Sequence, residues 1–310
     1  MARTDKRWAT AGGLASIAIW STSVPISRLV TEDLGVLPAT ALVLLCAGAI
    51  LWTITWARER NVGWMRRLAP RHLMVCGPLF VGYILLLYVA IGMAPTRLDA
   101  LVAGLANYLW PTMILVFSVI VLRRRARPEI LGPGILVSLA GILLAVAVSV
   151  GGWARLCEGI SGVPLSFAIG LIAAVLWGLY SVLARIFRQT VSSGAVAIFL
   201  FAAGLVALVL TRGAWSEAVW SARAVLAALY MALLPNSLAY WLWDVGMRDG
   251  DVATLGSISN LIPVLSTVVG TAVLSLTIRW ELIGGAVLVM AGAVVSRWAF
   301  GRSGESTPAT

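Results

Sequence analysis

The chain has 310 residues, of which 60% are apolar and only 12% are charged, whereas soluble domains contain about 25% charged residues. This composition excludes an ordinary soluble domain, because a water-soluble fold of this length cannot bury so much apolar surface. The net charge of +10 would suit nucleic acid if the basic residues formed one patch, but they lie between apolar stretches, so no nucleic-acid partner is predicted.

Ten apolar segments follow one another along the chain. Crossing ~30 Å of hydrocarbon takes about 20 helical residues, and the segments have roughly that length. They lack the strict alternation of barrel strands, so α-helices are predicted. The predicted fold class is an all-α polytopic membrane protein with ten transmembrane helices, at residues 8–30, 36–57, 73–93, 99–121, 130–150, 164–186, 194–211, 222–244, 252–276 and 281–300.

The basic residues between the segments predict the orientation. If the N-terminus is cytoplasmic, most of the 23 Lys and Arg residues fall on the cytoplasmic side, including those of loops 58–72 and 123–129. This bias is the positive-inside rule. The protein is therefore predicted to lie in the cell inner membrane with both termini in the cytoplasm.

The fourth segment contains the sequence NYLWP, which begins at Asn107 and ends at Pro111. Proline has no N–H, so the carbonyl group of Asn107 loses its helical donor. An unpaired carbonyl is costly in hydrocarbon, and a kink is predicted where protein groups or water can pair with it. The ninth segment repeats the pattern with Asn260 and Pro263, and Pro25 is the kink candidate of the first segment. Either helix packing or a gating role would explain such kinks.

Several aromatic side chains lie near the midpoints of their segments, although Trp and Tyr are usually found at the membrane interfaces. Their N–H and O–H groups need partners, so they are predicted to point into the protein. They suit a central cavity for aromatic or large apolar solutes, although a packed aromatic core would give the same pattern. The candidate substrate-site residues are Tyr83, Asn107, Tyr108, Trp110, Trp177, Tyr180 and Asn260, together with Trp20, Asn236 and Tyr240.

Charged residues are rare inside the segments. Asp244 is a candidate site for a coupling proton, because an intramembrane acid usually has a function, but Arg248 follows one turn later and can pair with it instead. Arg28 and Arg185 lie at segment ends and are predicted to extend toward the membrane interface. The single histidine, His72, is predicted to lie at that interface too.

No catalytic, metal or cofactor site is predicted. Cys46, Cys76 and Cys157 lack disulfide or metal spacing, and one histidine offers little acid–base chemistry. The chain contains no Walker motif, so ATP is not predicted to drive it directly. The sequence therefore does not predict an enzyme.

The two halves of the sequence are similar to each other. The separation of Pro111 from Pro263 equals that of Glu129 from Glu281, which predicts a duplicated unit. Residues 1–151 and 152–310, the latter with a short C-terminal tail, hold five segments each, so the second half enters the membrane from the opposite side. Each glutamate precedes two glycines seven residues apart, which predict a close helix contact or a dimer face: Gly134 and Gly141, then Gly285 and Gly292.

The repeats resemble the EamA repeats of the drug/metabolite transporter superfamily. In each repeat the first segment carries Trp, the fourth carries Asn and Pro, and the fifth begins with Glu. The resemblance extends over nearly the whole chain, and NYLWP is similar to the YddG type of aromatic amino acid exporter. It implies a secondary transporter that exports aromatic or hydrophobic amino acids by alternating access, with two inverted five-helix repeats around a central cavity.

Two alternatives stay open. Another member of the superfamily would carry threonine, methionine, a cationic drug or a nucleotide sugar. A passive channel is a different class of protein, and it would require a continuous polar stripe that the segments lack. The predicted partners are an amino-acid-like solute and the lipid bilayer, with a monomer as the predicted state and a dimer as the alternative.

Overall fold

The structure is a computed structural model. It describes residues 5–60, 68, 70–154, 164–186, 193–251, 254–255 and 258–300. Six side chains within these ranges lie outside the description: Glu59, Arg185, Ser193, Asp244, Met247 and Arg248. All regular secondary structure in the described ranges is helical.

Helices occupy each of the ten predicted segments. In chain order the α-helices are α1 Lys6–Ser21, α2 Ser23–Leu34, α3 Val36–Glu59, α4 Pro70–Gly92, α5 Arg97–Asn107, α6 Trp110–Ile120, α7 Pro128–Ser149, α8 Leu165–Ile186, α9 Ser193–Leu210, α10 Ala222–Leu233, α11 Ala239–Asp249, α12 Ile262–Val273 and α13 Trp280–Trp298. A π-helical turn, Leu234–Leu238, joins α10 to α11, and short 3-10 helices lie at Ala214–Glu217 and Ser259–Leu261.

Seven of the described helical segments are long and apolar enough to cross a membrane, and the bent pair α1 and α2 makes an eighth. Gly194–Leu210 and Ser259–Val273 are apolar but shorter. The structure thus agrees with a polytopic membrane protein, while ten crossings stay a prediction.

Polar caps begin several of these helices. Thr96 and Asp99 form a capping box at the start of α5, in which each side chain accepts a hydrogen bond from the other's backbone N–H. Ser221 caps α10 by accepting from the N–H of Ala224 at 3.0 Å. Such caps satisfy backbone donors that have no partner within the helix.

Helix breaks occur beside prolines in the middle of three segments. The axes of α1 and α2 differ by 42°, and Pro25 is the third residue of α2. Pro111 lies in the first turn of α6, just after the break that follows Asn107, and Pro263 lies in the first turn of α12. Proline is tolerated there because a first-turn N–H has no helical partner. Each proline therefore lies in the first turn of a new helix. The gating role predicted for these prolines stays a prediction.

Equivalent helices of the two halves pack in antiparallel pairs. A Cβ atom built on Gly285 of α13 would lie 2.7 Å from the carbonyl oxygen of Gly141 in α7, and one built on Gly134 would lie 2.6 Å from the N of Ser296. Earlier residues of α7 thus meet later residues of α13.

The second such pair is α3 with α9, where a Cβ atom on Gly48 would lie 2.8 Å from the N of Phe201 and one on Gly204 would lie 2.7 Å from the N of Leu45. Two further contacts between the halves correspond to each other. Helix α4, from the third segment of the first half, packs on α8, from the first segment of the second half; likewise α11, from the third segment of the second half, packs on α1 of the first. Such an exchange of contacts is the pattern expected of two halves that are inverted relative to each other.

Two buried clusters form the core. One surrounds Phe80 and Leu200, and the other surrounds Leu105 and Ile142. His72, in the first turn of α4, is 0% exposed, and its ring lies 5.8 Å from the ring of Phe199 in α9. It is therefore buried within the protein, and its depth relative to the membrane interface stays a prediction.

Candidate functional site

Five aromatic rings meet where α4, α8 and α11 come together. Tyr83 lies 4.6 Å from Trp177, and Trp177 lies 5.2 Å from Tyr180, between ring centroids. Phe80 lies 5.4 Å from Tyr180 and 6.0 Å from Tyr240. Four of the five were predicted as site residues, all except Phe80. The three tyrosines among them are at most 8% exposed. These five residues are called the aromatic cluster below.

The aromatic cluster belongs to the core cluster around Phe80 and Leu200, and two further tryptophans border it. Trp20 lies 5.3 Å from Tyr240 and 5.4 Å from Trp243, and its Nε1 donates to the carbonyl oxygen of Pro235 at 3.0 Å. Trp110 meets Trp177 edge-on at 6.4 Å. Residues of both halves therefore build one aromatic surface.

Asn236 has its amide nitrogen engaged within the protein. Its Nδ2 donates to the Tyr88 hydroxyl at 3.1 Å and to the carbonyl oxygen of Met231 at 2.9 Å. The π-helical turn, in which Asn236 lies, frees such carbonyl groups from regular pairing. These bonds use both N–H groups of the amide, so its donors hold the turn together.

Asn107, Tyr108 and Asn260 are buried, at 3%, 8% and 7% exposed. The Asn107 side chain lies beside the Tyr83 hydroxyl, next to the aromatic cluster. Asn260 lies in the 3-10 turn that precedes α12. The structure thus brings Asn107 to the predicted aromatic residues, whereas Asn260 is buried in the turn.

Asp244 lies outside the described side chains, so its role in coupling stays a prediction. Among the residues that the structure does describe, no three His, Cys, Asp or Glu side chains are grouped to hold a metal ion.

A cluster of charged residues joins helix ends on the side of the molecule that holds the 93–97 loop. Glu32 of α2 accepts two hydrogen bonds from Arg97 of α5, at 3.0 Å from Nε and 2.7 Å from Nη2. Arg97 also donates to the carbonyl oxygen of Leu274, just after α12, at 3.1 Å. Asp33 binds Arg223 of α10 and accepts from the Ser221 hydroxyl at 3.2 Å.

Arg28 completes this cluster. Its Nε donates to Glu32 at 2.9 Å, and its Nη1 donates to the carbonyl oxygens of Ile91 and Ala94 at 3.1 and 2.7 Å. Arg28 is 9% exposed. Acceptors at the helix ends beside the 93–97 loop thus satisfy the guanidinium within the protein. Its predicted extension toward the membrane interface stays a prediction, and the Arg185 side chain lies beyond the described part. The ion-pair cluster is defined as Arg28, Glu32, Asp33, Arg97 and Arg223.

Sequence reasoning missed Phe80, Tyr88, Trp243 and the ion-pair cluster. Phe80 lies three residues before Tyr83 on one helix face, so the helical period was a usable signal. No local sequence pattern could predict that Glu32 and Arg97 form an ion pair, since the two residues lie far apart in the chain.

The class of protein follows from comparison with known families. The model of the EamA-like transporter family matches residues 7–147 and 165–298, so one copy covers most of each half. The chain belongs to the EamA-like transporter family. Family membership indicates a membrane transporter and not an enzyme.

The chain is also similar to named relatives and to a solved structure. The aromatic amino acid exporter YddG of Salmonella typhimurium is 28% identical over 93% of this chain and 96% of its own. The protein of that name from Ancylobacter novellus is 32% identical over 84% of this chain and 86% of its own. A crystal structure with 29% identity matches with a TM-score of 0.67, covering 94% of this chain and 97% of that one.

Proposed function

We propose that this protein is a secondary transporter that exports aromatic and hydrophobic amino acids from the cytoplasm by alternating access. The observation that carries the proposal is the aromatic cluster, to which α4 of one half and α8 and α11 of the other contribute. Aromatic rings bind other rings in offset or edge-on geometry. The relatives named as aromatic amino acid exporters support the same substrate class.

The inverted relation of the halves supports alternating access. Two antiparallel, equivalent halves have two related packings, one open to each side of the membrane, with the substrate between them. The ion-pair cluster binds α2 to both α5 and α10 at one end of the molecule. We propose that these pairs close this end, which is the outer one in the predicted orientation, and that they break when the site opens there.

Transport by purified protein in liposomes tests the proposal. A panel of phenylalanine, tyrosine, tryptophan, threonine, methionine, a cationic drug and a nucleotide sugar is measured with and without a pH gradient. We expect saturable, mutually competitive transport of the aromatic amino acids. Transport of another solute without them would support another superfamily substrate, and flux that does not saturate would support a passive channel.

Removing a ring from the aromatic cluster should change selectivity. Trp177→Ala deletes the ring that touches Tyr83, Tyr180 and Phe80. An aromatic contact contributes about 1 kcal/mol beyond its buried area, and ~1.4 kcal/mol is tenfold in affinity. We expect phenylalanine to bind several-fold more weakly and threonine to be affected less. Trp220→Ala, at a tryptophan 55% exposed outside the site, is the matched control. Equal effects on both solutes would show that the ring serves packing alone.

Labelling of single cysteines tests the orientation. In a cysteine-free background, Arg125→Cys in the 123–129 loop should resist an impermeant reagent added to intact cells, because the positive-inside rule places that loop in the cytoplasm. Ser216→Cys, an exposed position in the loop before α10, should react. The reverse pattern would invert the topology.

A further inference from the structure

Two neighbouring buried residues of the fourth segment carry polar atoms that no described protein group satisfies. They are the Oδ1 atom of Asn107 and the hydroxyl group of Tyr108. A buried polar group without a partner destabilises the folded state, so most such groups are paired in folded proteins. A water molecule or a ligand can supply the missing partners.

The surroundings of Tyr108 keep its hydroxyl available. The side chains of Ser23 and Ser266 lie beside it, but neither forms a hydrogen bond of proper length and angle with it. Ser23 already donates its proton to the carbonyl oxygen of Trp20 at 2.6 Å. Three elements meet here: the start of α2 after its bend, the break before α6, and α12. The Tyr108 hydroxyl is thus buried where these interrupted helices meet, beside two serine side chains.

The Asn107 side chain connects this region to the aromatic cluster. It lies beside the Tyr83 hydroxyl. The Tyr83 ring is in turn 4.6 Å from that of Trp177. A solute whose ring lies against the aromatic cluster would therefore place its polar end at Asn107 and Tyr108.

The two unsatisfied atoms have complementary chemistry. An amide oxygen only accepts hydrogen bonds, whereas a phenol hydroxyl can donate one. The segments that supply these side chains contain no Asp, Glu, Lys or Arg in residues 8–27, 73–96, 100–122 and 254–278. Because these segments provide no side-chain charge, they suit a head group whose own charges cancel, since an unpaired charge is costly to bury.

We propose that Asn107 Oδ1 accepts a hydrogen bond from the α-ammonium group of an amino acid, while the Tyr108 hydroxyl donates one to its α-carboxylate. The assignment rests on the proposed function and adds that the substrate is recognised as a zwitterion by neutral side chains. Both head-group contacts come from one break in one helix, so they move together when the helix moves.

Competition binding in lipid nanodiscs tests the assignment. Labelled phenylalanine competes with phenylalanine methyl ester, which keeps the ammonium but not the carboxylate, and with N-acetylphenylalanine, which keeps only the carboxylate. In Tyr108→Phe, phenylalanine should bind about tenfold more weakly, as expected for one hydrogen bond to a charged group, and the preference for phenylalanine over the ester should shrink equally. In Asn107→Leu, the preference over the acetylated analogue should shrink instead.

Thermal unfolding separates this role from a structural one. Tyr108→Phe should not lower the unfolding midpoint, because the hydroxyl it removes has no described hydrogen-bond partner. Asn107→Leu also removes the amide nitrogen beside the Tyr83 hydroxyl, so for this variant the change in head-group preference is the deciding measurement. Tyr88→Phe is the matched control: it removes a hydroxyl bonded to Asn236, so it should lower the midpoint without changing head-group preference. Asn107→Ala replaces Asn107→Leu if the leucine prevents folding.

The outcomes distinguish the two proposals. If wild-type protein binds phenylalanine but both variants bind it within twofold of wild type, or change both preferences equally, the head-group assignment is overturned. If wild-type protein binds other solutes of the panel but no aromatic amino acid, the proposed substrate class fails, and the assignment fails with it.

Discussion

Gly285→Ala should destabilise the folded protein by about 1–3 kcal/mol, the usual cost of an extra methyl group in a closely packed interior. The new Cβ atom would lie 2.7 Å from the carbonyl oxygen of Gly141, and both atoms belong to helix backbone. Neither can rotate away, so α7 and α13 must separate along their whole contact. Glycine allows this close approach, and helix association in lipid depends on such packing. A lower midpoint of thermal unfolding in detergent measures the effect.

The adjacent residue provides the control. A Cβ atom on Gly284 would meet only the Leu144 side chain, at 3.8 Å, which is ordinary van der Waals contact. Gly284→Ala should leave the midpoint unchanged, or raise it slightly, because alanine has the higher helix propensity. Equal midpoints for the two variants would contradict the close contact between α7 and α13.

Removing the acids of the ion-pair cluster should open the end of the molecule that they close. Glu32→Gln leaves Arg28 and Arg97 without their shared carboxylate. Removing one partner from a buried pair costs about 3–5 kcal/mol, but the Glu32 side chain is 21% exposed, so solvent screening reduces this to about 1–3 kcal/mol. A change of that size shifts a two-state equilibrium by about 5- to 150-fold.

Distances between spin labels report that shift. Labels at Met93 and Ser216, both exposed on the closed end, should give longer distances in Glu32→Gln than in wild type. Glu217→Gln removes an exposed acid from the same end and is the matched control, since the described residues give it no ion pair. Asp33→Asn should also lengthen the distance between the labels. Exchanging Asp33 and Arg223 for one another keeps the ion pair, so it should restore the short distance. Unchanged distances in Glu32→Gln and Asp33→Asn would show that the cluster does not close this end.

The sequence by itself determined the class of the protein and much of its plan. Low charge and long apolar segments require lipid as the solvent, and the spacing of Pro111, Pro263, Glu129 and Glu281 revealed the duplication. The paired glycines predicted a close helix contact, now seen between α7 and α13. These features could be predicted because they depend on composition and on periods of one or two helical turns, which are local properties of the chain.

The tertiary structure alone decided which of these residues meet. The tyrosines and Trp177 were candidates as separate mid-segment aromatics, but only helix packing shows that Phe80 lies among them. Asn236 and Asn107 look alike in sequence. Packing gives the Asn236 amide the Met231 carbonyl oxygen and the Tyr88 hydroxyl, whereas no residue that the structure describes pairs with Asn107 Oδ1.

The same holds for the charges. Arg97 and Arg223 lie 65 and 190 residues from the acids they bind. A local pattern places a side chain on a helix face, but its partner depends on how distant helices pack, and the packing energy is shared among many contacts along each helix pair. For this reason the aromatic residues could be predicted from the sequence as candidates for the substrate site, whereas the ion pairs and the unsatisfied polar atoms could be identified only in the folded structure.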